Sequence, residues 1–371
     1  MRLVYVTRSG TAWDITEVFQ SVAWSGDYQQ AARKVELTLA WSDTDPDFPR
    51  EVIGGIDNGE MLFLYSDAGD ELFQGYVFSV SKALGSTTRT FTAYDGLIYL
   101  VKSSIAANFQ KTTAQGVTRQ VAAELGVPVG TMADDAGVAT NFAHIGKPAY
   151  EAIMGAWTQV KKASGKFYMP VMHGGKLNVI AMGETVADRT LSPSADLVAG
   201  EVTSAIDEAV TKALVVDKNG KVLASAEDAE TRKLYGLLQS AEAKDDKNDA
   251  ATQAKEKLKG PDQQISLSDI IGGQDALDLV TGNAVLVEEP STGLHGKFFI
   301  INDTHTFADG QHKVALGLDF KGMMDEVEVE LVKAAKKKKG PGGNTKPATD
   351  PWSKWADYGA GGVVNTGAKS G

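Results

Sequence analysis

The sequence predicts a mainly β protein with an inserted α/β module and a flexible C-terminal tail. Before about residue 105 and again after about residue 201, apolar and polar residues alternate with the period of two that is typical of half-buried strands. Between these stretches, apolar residues recur every three or four positions, which indicates amphipathic helices. From Lys333 onward the composition changes to Lys, Gly and Pro, which predicts a segment outside any packed core.

Residues 1–105 are predicted to form a first antiparallel β-barrel domain. Val35, Leu37, Leu39 and Trp41 alternate with polar or small residues. Further apolar runs follow at 61–65, 72–81 and 88–94, and turns rich in Gly and Asp separate them.

Residues 106–198 are predicted to form the inserted α/β module. Val117 and Val121 lie on one face of a helix that Gly126 can end. Pro148 can open a second helix that ends at Gly165. Two strands, 167–171 and 177–181, flank a Gly-rich turn and predict a β-hairpin.

Residues 199–332 are predicted to form a second β-barrel domain. The pair Asn219-Gly220 is a strong hairpin turn signal. Residues 241–259 are rich in Ala, Lys, Asp and Glu and lack Gly and Pro, which predicts an exposed helix. Strand patterns resume at 284–288, 297–307 and 312–320.

Two segments of the chain resemble each other in pattern. Residues 59–82 and 282–304 each begin with Gly, continue with an apolar strand and an acidic turn containing Gly, and place a further Gly, Gly75 or Gly296, before a longer strand. One interpretation is that antiparallel hairpins are generally alike. The other is that one barrel occurs twice, so that three chains would present six similar units in a ring.

Composition excludes several classes of protein. The chain has 371 residues and no Cys, which excludes disulfides, thiolate metal sites and cysteine nucleophiles. No apolar run approaches the length of a membrane helix, and the N-terminus does not indicate a signal peptide. The net charge is −11; residues 333–371 carry +6 and the remainder therefore −17, which disfavours a body that grips nucleic acid.

No catalytic or metal motif stands out. The sequence contains no GxSxG, P-loop or GxGxxG pattern. His305 and His312 could lie near each other across the last hairpin and, with Asp303 and Asp309 close in sequence, form a metal site. Polar positions on the outer face and turn of a hairpin are the favoured interpretation. Asp43, Asp45 and Asp47 begin like a calcium loop but lack its Gly and Glu, so a solvated turn is favoured. We therefore predict no enzyme activity, cofactor or metal, although a pair of carboxylates cannot be recognised from sequence alone.

The tail, residues 333–371, combines a basic Gly/Pro-rich linker with an aromatic cluster. Lys336–Lys339 could bind phosphate, solubilise the linker or dock on an acidic protein surface. Trp352, Trp355 and Tyr358 follow within a short span, and such a cluster is typical of a segment that binds a partner. Docking on a protein is the favoured interpretation.

Five elements carry a resemblance to a known family: residues 93–100, the helix at 113–126, residues 165–168 with the next hairpin, residues 233–239, and the hairpin closing at 316–318. In their order and spacing they resemble the baseplate hub proteins of contractile phage tails and phage-like tail bacteriocins, in the form typical of Gram-positive systems. The Lys-rich tail lies outside this pattern.

The resemblance implies a homotrimeric structural hub that joins the sixfold tail tube to the threefold spike around a central channel. The implied partners are the tail tube, central spike, tape measure and baseplate wedge proteins, with DNA at most in passage and no stable membrane binding. The implied location is the tail baseplate of a virion or phage-like particle assembled in the bacterial cytoplasm. The alternatives are a tail-associated peptidoglycan hydrolase or wall-binding module, and a soluble β-rich binding protein with no tail role.

Overall fold

The computed structural model describes residues 1–193, 199–245 and 249–331. Strands predominate and form several sheets, which confirms the predicted mainly β class. The chain divides into two compact units: Met1–Ala199 together with the chain from Leu267 onward, and Gly200–Ser266. The domain boundaries predicted at residues 105, 198 and 332 remain predictions, and the predicted tail, with Trp352, Trp355 and Tyr358, lies outside the described residues.

The first hundred residues form strands with two short helices. In chain order they are β1 (Arg2–Val6), β2 (Ala12–Asp14), a 3-10 turn (Thr16–Val18), β3 (Phe19–Asp27), β4 (Gln30–Ala40), α1 (Arg50–Gly55), β5 (Met61–Tyr65), β6 (Glu71–Lys82), β7 (Thr88–Asp95) and α2 (Leu97–Lys102).

The next segment mixes both element types, as predicted. It comprises β8 (Ser104–Thr113), α3 (Ala114–Glu124), β9 (Val129–Met132), β10 (Ala139–Pro148), α4 (Ala149–Ser164), β11 (Tyr168–His173), β12 (Lys176–Ala181) and β13 (Val186–Leu191). Both predicted helices are confirmed: Thr113 caps α3 by accepting the backbone N–H of Gly116, and Gly165 ends α4 in the left-handed conformation. The hairpin β11–β12 is also confirmed.

The remaining elements run to the end of the described chain. They are β14 (Ala199–Ala205), β15 (Lys212–Val216), β16 (Val222–Glu227), α5 (Ala229–Tyr235), β17 (Gln239–Ala243), α6 (Ala250–Glu256), β18 (Asp262–Ile271), a 3-10 turn (Gln274–Ala276), β19 (Ala284–Glu289), β20 (Leu294–Ala308) and β21 (Gln311–Asp319).

The unit Gly200–Ser266 is built on a small three-stranded sheet in the order β16-β15-β17. The hairpin β15–β16 turns at the predicted Asn-Gly pair. The long helix predicted at 241–259 is wrong: residues 239–243 form β17, which pairs in parallel with β15, and the helix spans only α6. Sheet pairing overrides the helix propensity of the Ala-rich segment, and the Asp249 carboxylate starts α6 by accepting the N–H groups of Ala251 and Thr252.

In the other unit, the strands before residue 100 and after residue 267 belong to one continuous sheet. Its order is β18-β21-β20-β3-β4-β7-β6-β5-β1-β2, where β18 contributes its residues from Leu267 onward. The antiparallel pair β3–β20 joins the two halves, from Ser21↔Ala308 to Asp27↔Asn302. Strand β19 pairs with β20 and with β13. In this unit, strands assigned to the first predicted barrel domain and strands assigned to the second are thus joined through this strand pair, and the division into two barrels remains a prediction.

Two apolar cores lie on opposite faces of this sheet. The first is enclosed by the strands before residue 100; its buried members include Leu3, Val22, Val35, Leu37, Leu64 and Phe91. The second packs the outer side of β1, β5 and β6 against α2, α3 and α4; its buried members include Val4, Met61, Phe63, Leu100, Val121 and Trp157. Alternation along each strand produces this division, because successive side chains point to opposite faces.

The two segments that resemble each other in sequence share a backbone hydrogen-bond pattern. The N–H of Gly59 donates to Val77 O, and the N–H of Gly282 donates to Ile300 O at the same separation along the chain. Under this equivalence Leu62↔Gly75 matches Val285↔Phe298. Gly75 therefore corresponds to Phe298, and the expected match with Gly296 is wrong by two residues, because Val287↔Gly296 matches Leu64↔Phe73 and Gly296 thus corresponds to Phe73.

Candidate functional site: a polar sheet face and a buried clamp

Six neighbouring strands present a face of small polar side chains. The strand registers align these side chains in two rows that run across β6, β7, β4, β3, β20 and β21. The first row is Ser79, Thr92, Glu36, Ala23, Thr306 and Lys313. The second row is Ser81, Thr90, Thr38, Ser21, Ala308 and Gln311. All of these side chains are exposed or half-buried, whereas their neighbours along each strand enclose the first core.

The charges on this polar face balance one another. Lys34 pairs with Glu36 at 3.1 Å, and Lys313 pairs with Asp269 of β18 at 2.9 Å. These two ion pairs make the polar face close to neutral, although the chain as a whole is acidic. A face with Ser, Thr and Ala in place of large apolar groups offers little area for hydrophobic docking and no single-sign field for holding DNA.

The same side of the sheet changes character at β5 and β1. There Met61, Phe63, Val4 and Val6 are buried under the helices of the second core. One side of the sheet is therefore divided into a covered apolar half and an open polar half. Among the described residues of this unit, the polar half is the part of this side that the helices of the second core do not cover.

A buried ion pair holds the junction between the two halves of the sheet. The guanidinium of Arg33, on β4, donates to both carboxylate oxygens of Asp303, on β20, at 2.9 and 2.5 Å. Strand β3 lies between these two strands, so the arginine passes over Gly26, where a Cβ would collide with the guanidinium. The absence of a side chain at Gly26 thus permits this Arg33–Asp303 ion pair, which we name the clamp.

Further donors complete the environment of Asp303. The backbone N–H and the hydroxyl of Thr281 donate to Asp303 Oδ1 at 2.7 and 2.6 Å. Burial by itself raises the pKa of Asp303, but the charge and hydrogen bonds of Arg33 bring that pKa below its usual value. Arg33 also lies over the Trp24 ring, 4.3 Å from its centroid. Asp303 is therefore an ionised, fully paired group in the sheet interior.

His305 and His312 do meet across the last hairpin, but the favoured surface interpretation is wrong for His305. His305 is buried on the inner face, and its Nδ1 lies 3.0 Å from His312 Nε2. Burial lowers the pKa of each ring to about 4. His312 lines a cleft of about 330 Å³ with Phe19, Leu72 and Phe307, at the edge of the first core.

The acidic residues considered as a calcium loop do not form a metal site in the described chain. Asp43 and Asp45 lie in an exposed turn, where they accept from Trp41 Nε1 and from the Asp47 N–H. Within residues 1–193, 199–245 and 249–331, no group of three or more His, Asp or Glu is arranged to hold a metal ion. In the same described ranges, no helix is long and apolar enough to cross a membrane.

One small pocket does bring perturbed carboxylates together. Glu71 and Asp95 line it with Arg33 and His173, and its volume is about 20 Å³, room for about one water molecule. Burial raises the pKa of Asp95 to about 7. Both Asp95 oxygens already accept backbone N–H groups, from Leu97 and from Arg33, so this carboxylate holds α2 against β4. A polysaccharide chain does not fit in this space.

Sequence reasoning missed the polar face and the clamp. The sequence did contain a signal of the polar face, because Thr occupies every second position of residues 88–92. The prediction of a strand at 88–94 used only the apolar residues of that segment. The clamp joins Arg33 to Asp303, far apart along the chain, and no local pattern reports such a pair.

Comparison with known proteins identifies the family. The YQBQ-like family matches residues 22–319. The chain belongs to this family. It is 25% identical over 325 residues to the phage-like element PBSX protein XkdQ of Bacillus subtilis (strain 168), an alignment that covers 85% of this chain and 96% of XkdQ.

Solved structures share the fold. The 43 kDa tail protein of prophage MuSo2 from Shewanella oneidensis matches with a TM-score of 0.64 at 14% identity, over 86% of this chain and 98% of that protein. A chain of the Francisella PdpA–VgrG complex matches with a TM-score of 0.51 at 9% identity, over 98% of this chain and 67% of that chain. This chain is thus related in sequence to a protein of a phage-like element and shares its fold with a prophage tail protein.

Proposed function

We propose that the protein is a baseplate hub that assembles as a homotrimer between the tail tube and the central spike. The observation that carries the proposal is the continuous sheet, which contains two segments with one hydrogen-bond pattern, β5–β6 and β19–β20, and which the β3–β20 pair makes continuous. Two similar units in each chain give six in a trimer, which is the number that a sixfold tube requires at its end. The shared fold with a chain of the Francisella PdpA–VgrG complex supports this proposal.

The polar face is proposed to line the central channel. Its side chains are small and its charges are paired, so an extended tape measure protein, or DNA in a particle that carries it, passes without being held. The apolar half of the same side is covered by α2 and α4, which would then lie away from the channel. The proposed action is mechanical: the ring transmits load from tube to spike and keeps the passage open. Tail tube, tape measure and baseplate wedge proteins are the remaining proposed contacts.

The proposed location is the tail baseplate of a virion or of a phage-like particle such as a tail bacteriocin, assembled in the bacterial cytoplasm. Trp352, Trp355 and Tyr358 are proposed to dock on a partner within that particle. Truncation after Leu331 should then leave the body folded and reduce incorporation into particles. Normal incorporation of the truncated chain would contradict the docking proposal.

Native mass spectrometry of the full chain, alone and with its spike protein, tests the hub proposal. We expect a trimer in at least the second sample. A second experiment is thiol labelling, which is possible because the chain contains no Cys. Thr92→Cys on the polar face and Ser225→Cys on the exposed part of β16 each introduce a single thiol. A bulky maleimide should label Ser225→Cys in assembled particles and Thr92→Cys only after dissociation. A monomer in both samples, or equal labelling in particles, would contradict the proposal.

A further inference from the structure

The strands β6 and β20 share a β-bulge as well as a hydrogen-bond pattern. The pairing of β6 with β7 skips Phe78, and the pairing of β20 with β21 skips Ile301. These two residues are equivalent under the correspondence between the two similar segments. The correspondence therefore continues along both strands beyond the bulge, where Val80 of β6 is the counterpart of Asp303 of β20.

The strands that follow β7 and β21 in the sheet also correspond. The sheet continues from β7 to β4 in one half and from β21 to β18 in the other. The N–H of Trp41, directly after β4, donates to Thr87 O, directly before β7. Likewise the N–H of Gly272, directly after β18, donates to His312 O near the start of β21. Strand β18 is therefore the counterpart of β4.

Strand β14 (Ala199–Ala205) is the counterpart of β3, the neighbour of β4. It pairs with β18, and in the described residues it has no strand on its other side. Residues 202–207 (Val-Thr-Ser-Ala-Ile-Asp) match residues 22–27 (Val-Ala-Trp-Ser-Gly-Asp) in their first and last positions, so that Ile206 is the counterpart of Gly26. Each half of the chain thus contains one strand that can cover an edge in the way β3 does.

Only one of the two counterparts β6 and β20 is paired along its whole length. Strand β20 pairs with β19 through its first residues and with β3 through residues 302–308. Strand β6 pairs with β5 through Glu71–Tyr76, but in the described residues no strand lies beside Ser79–Lys82 on that side. Three of these four residues are exposed, whereas their counterparts, residues 302–305, are buried or half-buried. Residues 79–82 are therefore an open sheet edge, which we name the β6 edge.

The β6 edge differs in chemistry from the covered edge of β20. At the covered edge the carboxylate of Asp303 meets Arg33 across Gly26. At the β6 edge the counterpart of that carboxylate is Val80, which is partly buried against the first core. The counterpart of Gly26 is Ile206, whose side chain is 39% exposed. A strand added here by β14 would bring two apolar side chains together at the place where the covered edge has an ion pair.

We propose that a second copy of this chain covers the β6 edge with its own β14, in the antiparallel sense in which β3 covers β20. A second copy is the fitting occupant because it always carries the counterpart of β3. The inference rests on the proposed homotrimer: three junctions of this kind between copies, alternating with the three β3–β20 junctions within copies, close a ring of six units. Val80 of one copy and Ile206 of the next then form an apolar contact in place of the clamp.

Hydrogen exchange of the full chain, as monomer and as trimer with its spike protein, tests this pairing. We expect the amides of Ser79–Lys82 and of β14 to exchange about tenfold or more slowly in the trimer, because both strands gain backbone hydrogen bonds there. Residues 302–308 are the internal control, since they are paired within the chain and should change little. A trimer in which both segments exchange as in the monomer would overturn the pairing and leave the hub proposal standing. Protection of Ser79–Lys82 without protection of β14 would assign the edge to another partner and would overturn it too. A chain that stays monomeric with its spike protein would overturn both proposals.

Ile206→Asp tests the apolar contact without disturbing a buried side chain. Because the added carboxylate would be buried without a counter-charge at the junction, we expect trimer formation to weaken by about a hundredfold or more while the monomer stays folded. The matched control is Val222→Asp, at an exposed apolar position on β16, which should form trimers like the wild type. Val80→Asp places the same charge on the other side of the junction and should weaken assembly in the same way. Unchanged trimer formation by the folded Ile206→Asp protein would overturn the proposal.

Discussion

The clamp between Arg33 and Asp303 predicts a large and specific loss of stability when one partner is neutralised. Asp303→Asn keeps the shape of the side chain but places an amide where the carboxylate accepts from Arg33 and Thr281. A buried guanidinium then lacks its counter-charge. Breaking a buried ion pair on one side costs about 3–5 kcal/mol, a large part of the stability of an ordinary domain.

The magnitude can be isolated with a matched control and a double-mutant cycle. Asp269→Asn breaks an ion pair with Lys313 in the same sheet, but there both side chains are about half exposed, so we expect a loss of about 1 kcal/mol or less. Arg33→Met combined with Asp303→Asn should cost less than the sum of the single losses, because removing the second partner also removes the unpaired charge.

The assay is equilibrium denaturation in urea, followed by circular dichroism, with the free energy of unfolding compared among five proteins: the wild type, Arg33→Met, Asp303→Asn, the double variant and the Asp269→Asn control. The result that refutes the reasoning is a loss for Asp303→Asn no larger than that for Asp269→Asn. Strict additivity of Arg33→Met and Asp303→Asn would refute it equally, since the clamp then contributes no coupling.

Two further predictions concern the same junction. Gly26→Ala should lower the free energy of unfolding by about 1–3 kcal/mol, because the added methyl group meets the Arg33 guanidinium, whereas Gly55→Ala, at an open position, should change it little; equal effects in urea denaturation would contradict this. Burial raises the pKa of Asp95 to about 7 from an unfolded value near 3.8, so the folded state binds more protons between these values. The free energy of unfolding should therefore carry a contribution from Asp95 that decreases as pH rises from about 4 to about 7, and Asp95→Asn should remove that part of the slope; identical slopes would contradict it.

Local elements could be predicted from the sequence because their causes are local. The helix α4 follows from Pro148, its apolar face and Gly165, and the hairpin β15–β16 follows from Asn219-Gly220. The prediction of a helix at 241–259 was wrong because the composition of that segment favours a helix. Residues 239–243 form a strand instead, since they pair with β15, which lies elsewhere in the chain.

The site could be predicted far less well, for a physical reason. The polar face exists only after six strands from three parts of the chain have been placed in register. The clamp forms only because β3 pairs with β4 on one side and with β20 on the other, and because Gly26 of β3 has no side chain that would collide with the Arg33 guanidinium. The proximity of His305 and His312 was predictable from the hairpin, but the burial of His305 was not, because Trp24 and Leu279, which contact its ring, lie at distant positions in the chain.

The most direct test of the central claim is a cryo-electron microscopy reconstruction of the particle that carries this chain. We expect three copies around the tail axis between tube and spike, with the strands β6, β7, β4, β3, β20 and β21 turning Ser79, Thr92 and Thr306 towards the channel. A copy number other than three, or the same face turned outward to the sheath side, would contradict it.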